Sequence, residues 1–179
     1  MEKKPIAPLA AGLVLGLTSV VLFLVYYFTG LVFQQGPLAW LPAVISVILL
    51  IVLIGMWSNA KDNFVTFGSC FGFGFRSICI ATLIVFFFTL LFIYLTPDYK
   101  TQALQMMKEK MRENKQATDE QVETGMNWMT GHFMLVTLGG TLFGNLLVGV
   151  IGSLIGAGIA KKKPFSPFAQ VNQIGETQP

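Results

Sequence analysis

His132 stands among Met126, Met129 and Met134, with Met106, Met107 and Met111 upstream, so one imidazole and several thioethers could gather around a soft ion such as Cu(I). The stronger reading is that the methionines fill an apolar seam between two helices, and no metal or cofactor is expected. Arg76 is the only charge able to enter an apolar region, and Asp62 or a lipid phosphate is its natural partner. It reads first as an interface anchor, then as part of an anionic-lipid or substrate site, and last as a gating residue. Asn145 is the most polar residue of the last apolar segment, suited to an interhelical hydrogen bond more than to an ion site. Cys70 and Cys79 are nine positions apart on one predicted helix and point to opposite faces, so they read as a reduced structural pair. No serine, cysteine or carboxylate has a base placed beside it, and no glycine-rich loop has phosphate-binding spacing. The chain therefore reads as a non-enzyme.

The segments that must position these residues are built for lipid. Of 179 residues, 54% are hydrophobic and only 12% charged, against about a quarter charged in soluble proteins. The apolar residues fall in long blocks, which argues for membrane spans over a buried globular core. A formal charge of +3 is too small to suggest nucleic acid.

The expected fold is all-α: an integral membrane bundle of four transmembrane helices, with an extramembrane helical hairpin between the third and fourth. Residues 1–163 form the membrane domain, with spans at about 7–33, 38–57, 76–96 and 133–160 and the external hairpin at 97–132. Residues 164–179 lack a helical period and read as a flexible cytoplasmic tail.

The first span is too long for the apolar region of a secretory signal and should let Tyr26 to Phe33 rest in the headgroup layer. Gln34 to Pro37 make a turn, and Trp40 and Trp57 mark the two interfaces of span two. Span three begins ambiguously. Ile78 to Leu95 is uncharged and covers roughly 27 Å as a helix, so Phe64 to Phe75 becomes an interfacial, re-entrant or continuous lead-in with one aromatic stripe, Phe64, Phe67, Phe71 and Phe75. Thr96, Pro97 and Asp98 open the external hairpin, and Thr118 with Gln121 forms a capping box for its second helix.

Four small-xxx-small spacings, Gly12 with Gly16, Gly68 with Gly72, Gly140 with Gly144 and Gly152 with Gly156, predict close helix packing within the chain, or a homo-oligomer face as the lesser alternative. Orientation follows from the cations. Lys3, Lys4, Lys61, Arg76 and Lys161 to Lys163 lie close to span ends on one side, while Lys100, Lys108, Lys110, Arg112 and Lys115 lie in the hairpin. Both termini are therefore expected in the cytoplasm.

With Asn63, Thr66, Phe67, Gly68, Phe71, Gly74 and Phe75 entering span three, Thr96-Pro97 opening the hairpin and Gly144-Asn145 in the last span, the chain resembles a family of small four-span bacterial membrane proteins, typically of Bacteroidota, that is a domain of unknown function. The resemblance covers nearly the whole chain to Lys163. It implies four spans and no established activity. The resulting expectation is an inner-membrane accessory or scaffold protein that contacts membrane lipids and another protein through hairpin 97–132. The alternative is a small transporter or channel with a site near Arg76 and the Phe64 to Phe75 segment.

Overall fold

The computed structural model describes residues 4–33, 36–113 and 118–163. The expected tail at 164–179, Gln34 and Gln35 of the first turn, and Gln116 and Ala117 of the hairpin lie outside them. Among the described residues the regular structure is helical, with no strand: α1 (Pro8–Phe28), α2 (Leu41–Ala60), α3 (Phe67–Leu95), α4 (Pro97–Glu113), α5 (Asp119–Gly131) and α6 (Phe133–Ile159). Two 3-10 turns, Leu31–Phe33 and Pro37–Trp40, connect α1 to α2. Four helices, α1, α2 with its preceding 3-10 turn, α3 and α6, are long and apolar enough to cross a membrane, with mean hydropathies of 2.4, 2.8, 2.8 and 2.0. The protein is a multi-pass membrane protein. Its lipid-facing surface keeps Leu17, Val21, Ile48, Phe87 and Phe143 exposed, as helices bathed in hydrocarbon require.

Local chemistry sets the ends of the helices. Phe28 ends α1, because Gly30 enters the left-handed region at φ 73° and its N–H donates back to the Tyr27 carbonyl at 3.0 Å, a glycine helix stop. The first helix is therefore shorter than the expected 7–33 segment. Tyr26, expected at the headgroup layer, instead turns inward: it is buried, and its hydroxyl donates to the Leu38 carbonyl at 3.1 Å. Trp57 also departs from its expected interfacial place, since it is buried and stacked on Phe73 at 4.9 Å between ring centroids.

At α3 the lead-in and the span are one helix. Thr66 and Ser69 form a reciprocal capping box that starts it at Phe67, and its 29 residues rise about 43 Å. That exceeds a hydrocarbon thickness of about 30 Å. The stretch from Arg76 to Leu95 spans about 28 Å of it, so the turns before Arg76 extend beyond the lipid core. Residues 67–75 are thus a continuous helical entrance and not a re-entrant loop.

Within the bundle, α3 packs on α1 along one side and on α6 along the other, α6 packs on α2, and α1 and α2 meet only briefly. The dense half lies where α2 turns into α3. There Ala11, Leu15, Leu50, Ile54, Cys70 and Phe73 form the core. Ser77 is wholly buried and donates to the Phe73 carbonyl at 2.9 Å.

Glycines allow this closeness. A Cβ at Gly12 would lie 2.6 Å from Ile80 Cβ and 2.7 Å from the Ser77 carbonyl oxygen, and one at Gly16 would lie 2.8 Å from Ile84 Cδ1. A Cβ at Gly152 would lie 3.1 Å from Leu50 Cδ2, and one at Gly156 would lie 2.6 Å from Ile54 Cδ1. Gly68, Gly72, Gly140 and Gly144, expected to pack, meet nothing within 4 Å. They are not packing positions within the described chain: Gly140 and Gly144 border open space between the spans, and a side chain at Gly68 or Gly72 would meet no neighbouring helix. Gly74 and Gly149 pack instead: a Cβ at Gly74 would lie 2.7 Å from Ser153 Oγ, and one at Gly149 would run into Ile78.

Between the third and fourth spans, α4 and α5 pack on each other. Met111 reaches over Gly125, its Cε 2.7 Å from where a Cβ would stand. Thr118 and Gln121 cap α5 reciprocally. A cluster of Ile93, Ala103 and Phe133 roots the pair on the ends of α3 and α6.

Candidate functional site

The expected site residues do not converge. Arg76 is exposed on α3, about 13 Å of helix rise beyond Phe67, whereas Asp62 belongs to the turn before Phe67. That turn is unusual in its own right. Asp62 and Asn63 both adopt positive φ, 52° and 64°, a region that Asp and Asn enter more readily than other side chains. It is also bound to the end of the last span. Ser58, fully buried, donates its hydroxyl to the Lys161 carbonyl at 2.8 Å, and the Lys163 N–H donates to the Asn63 carbonyl at 2.8 Å. Lys61 lies over the Trp57 ring at 4.3 Å, Lys162 over Phe67 at 5.6 Å and Lys163 over Phe64 at 5.2 Å. These cations rest on aromatic faces and give this end of the bundle a basic rim. Phe71 and Phe75 of the expected stripe stack at 6.0 Å.

His132 caps the end of α5 with its ring stacked on Trp128, 4.9 Å between centroids, and its Nδ1 3.0 Å from the Trp128 carbonyl oxygen. The described residues hold no group of three His, Cys, Asp or Glu side chains placed to share a metal ion. Cys70 is buried in the core, Cys79 is half-buried, and both are free thiols.

At the opposite half of the bundle the packing opens. A cavity of about 440 Å³ lies among all four spans, lined by Ser19, Ser46, Thr89, Thr141, Gly144 and Asn145 together with apolar neighbours. Below it a chamber of about 20 Å³, bounded by Leu15, Leu50, Ile78 and Thr82 and sharing Ser19, Ser46 and Asn145 with the space above, gives room for one water molecule. From Tyr26 to Leu15 the two run about 16 Å along α1. The open wall at Gly140 and Gly144 is the reason for its width: a side chain there would enter the cavity, and the nearest atoms stand more than 4 Å away.

Three polar side chains in the wall bond within their own helices. Ser19 donates to the Leu15 carbonyl, Ser46 to the Pro42 carbonyl and Asn145 Nδ2 to the Thr141 carbonyl, all at 2.9 Å. The Asn145 bond is therefore intrahelical, not the interhelical bond expected from the sequence. Its amide oxygen and the two serine oxygens keep lone pairs for a visitor. Thr82 Oγ1 is buried and has no hydrogen-bond partner. Such orphaned groups are costly and call for a partner.

The mouth is held by aromatic rings. Tyr99 of α4 lines the cavity and packs edge-on against Phe23 and Phe92 at 6.1 and 5.4 Å, while Tyr27 meets Phe92 at 4.9 Å. Edge-to-face contacts of this kind fix ring positions. Burial pushes the Tyr99 hydroxyl above the usual tyrosine range, and neighbouring Tyr27 adds to the rise.

Sequence reading did not pick out this cavity. Ser19, Ser46, Thr89 and Asn145 lie on four different helices and each is an ordinary guest of a membrane span. The usable signal was that every span carries a small hydroxyl or amide in the same half of its length. A family model described as "Protein of unknown function (DUF4199)" matches residues 11–162. No curated protein and no solved structure matches the chain.

Proposed function

Starting from a chain that belongs to this family of unknown function, we propose that it is a non-enzymatic membrane-embedded binding protein that holds a small molecule in the cavity among its four spans. One observation carries the reading. The spans are tightly joined in one half and part in the other around 440 Å³ of space walled by apolar side chains with a few neutral polar groups among them, a volume typical of small-molecule sites. The cavity lies at the far end of the bundle from Arg76 and the Phe64 to Phe75 segment, so this reading moves the site of the transport alternative from there to the Ser19–Asn145 wall.

The setting is the bacterial inner membrane, with both termini cytoplasmic and α4 and α5 outside. The support is the basic rim of Lys4, Lys61, Arg76 and Lys161 to Lys163 at the α2–α3 turn and at the ends of α1 and α6. A protease-sensitive tag on either terminus should resist protease added to spheroplasts, and cleavage there would reverse the orientation.

Filling the cavity tests the binding role. Gly144→Phe puts a ring into open space without meeting a neighbouring helix. Organic extraction of purified wild-type protein should release a small molecule that extraction of Gly144→Phe does not. Identical extracts from folded samples of both would refute the proposal.

A second reading, a scaffold that meets another protein through residues 97–132 and can form a homo-oligomer, is favoured by Trp128, which stays exposed on α5 despite its size. Crosslinking from Trp128 positions in native membranes should then capture one dominant protein. Capture of lipid alone would remove this reading.

A further inference from the structure

The wall of the cavity defines what it can hold, and resting on the binding role proposed above, we infer that its ligand is an uncharged amphipathic molecule with a hydroxyl head, seated head-first against Thr82 and Asn145 with its apolar body toward Tyr99.

Charge is decided first. Among the described residues, no Asp, Glu, Lys, Arg or His lines either the cavity or the chamber beneath it. An ionised head placed there would lose its water with no counter-charge to replace it, at a cost that insertion scales put near that of a charge at mid-bilayer. That corresponds to binding about a hundredfold weaker than a neutral head.

Polarity is decided next. The hydroxyl protons of Ser19 and Ser46 already go to carbonyls of their own helices, as does one amide proton of Asn145. What remains toward the space is both acceptor and donor: two serine oxygens and the Asn145 amide oxygen, with the second Asn145 amide proton and the hydroxyls of Thr89 and Thr141. An ester or ketone head, which only accepts, would give none of those oxygens a proton. A hydroxyl gives its proton to one of these oxygens and accepts from Thr82 Oγ1, which is buried and unpartnered. The buried Thr82 hydroxyl is thus matched by a neutral head group that both donates and accepts.

Direction follows from the taper. The water-sized chamber, with Ser19, Ser46, Thr82 and Asn145 set among apolar side chains, is the narrow end, bounded by Leu15, Leu50 and Ile78. The wide part is lined by Phe23, Leu31, Val32, Val85 and Val148. A head that fits the narrow end and a body that fits the wide one can enter only in this order.

The test uses purified full-length protein in lipid nanodiscs with three diazirine probes of equal chain length, ending in an alcohol, a carboxylate or a trimethylammonium group, and peptide mapping after photolysis. The alcohol should label peptides containing Val85 and Val148, with the charged probes about a hundredfold weaker. Thr82→Val keeps the shape of the side chain and should weaken alcohol labelling a few-fold to about tenfold, and Asn145→Leu should do the same. A carboxylate or ammonium probe that labels these peptides as well as the alcohol, or an alcohol indifferent to Thr82→Val, overturns the inference while leaving the binding role standing. Labelling of these peptides by no probe above the level in Gly144→Phe overturns the binding role itself.

Discussion

Replacing Gly12 by alanine should separate the first and third spans. The new Cβ would stand 2.6 Å from Ile80 Cβ, 2.8 Å from Ile80 Cγ2 and 2.7 Å from the Ser77 carbonyl oxygen, where relaxed carbon contacts are about 3.5 to 4.0 Å. About 1 Å must be found. Ser77 cannot supply it, because its carbonyl is part of the α3 backbone. Ile80 cannot either, since a β-branched side chain in a helix holds one rotamer. The remaining way out is for α1 to retreat, and Gly16, packed on Ile84 one turn along, must retreat with it. Overpacking of this kind costs about 1–3 kcal/mol, and in a chain of this size each kcal/mol lowers Tm by about 2–4 °C. Gly12→Ala should therefore unfold about 2–12 °C below wild type in a detergent temperature ramp followed by size exclusion. Gly144→Ala is the matched control: nothing lies within 4 Å of its Cβ, and alanine is the better helix former, so its Tm should be unchanged or raised. Equal losses in both variants, or none in Gly12→Ala, would refute the assignment of glycines to seam and cavity.

Three further outcomes follow from other contacts. Ser58→Ala removes the 2.8 Å donor to the Lys161 carbonyl, so it should cost about 0.5–1.5 kcal/mol in the same ramp; full stability would show that the contact between the turn and the last span carries no load. Because burial raises the Tyr99 pKa, the folded state holds that proton longer than the unfolded chain; the associated stability is complete below about pH 10 and declines as pH climbs through the raised value. Tyr99→Phe should flatten that decline, measured as Tm between pH 9 and 11.5, and an unchanged slope would count against burial as its cause. Arg76→Leu should change stability by no more than about 0.5 kcal/mol, as expected for an exposed side chain; a large drop in Tm would mean that Arg76 has a structural partner.

The four spans were legible because a long apolar block has few alternatives in a chain with so little charge. Their ends were less so. The start of α3 depends on Thr66 and Ser69 bonding reciprocally, and the end of α1 on Gly30 taking positive φ, and both are single-residue events inside a continuous apolar pattern. Facing was harder still. A Gly-xxx-Gly spacing marks one side of a helix without saying whether a helix or empty space lies opposite, so Gly152 and Gly156 fell on a seam and Gly140 and Gly144 on a cavity wall. Tyr26 and Trp57 illustrate the same limit, since an amphipathic ring suits an interface and an interior contact alike. The cavity itself depends on which small polar residues share a level, and that is set by the packing of helices distant in sequence.

The contact between Ser58 and Lys161 joins positions 103 residues apart, which has a consequence for biogenesis. At about 5–20 residues per second, the ribosome delivers the second partner roughly 5 to 20 s after the first. During that interval the loop ending span two has an unanswered hydroxyl, and the two central hydrophobic segments sit in the bilayer without their final neighbour. A chain that stops short of Lys161 lacks the acceptor, and the turn after span two then stays untied from the last span.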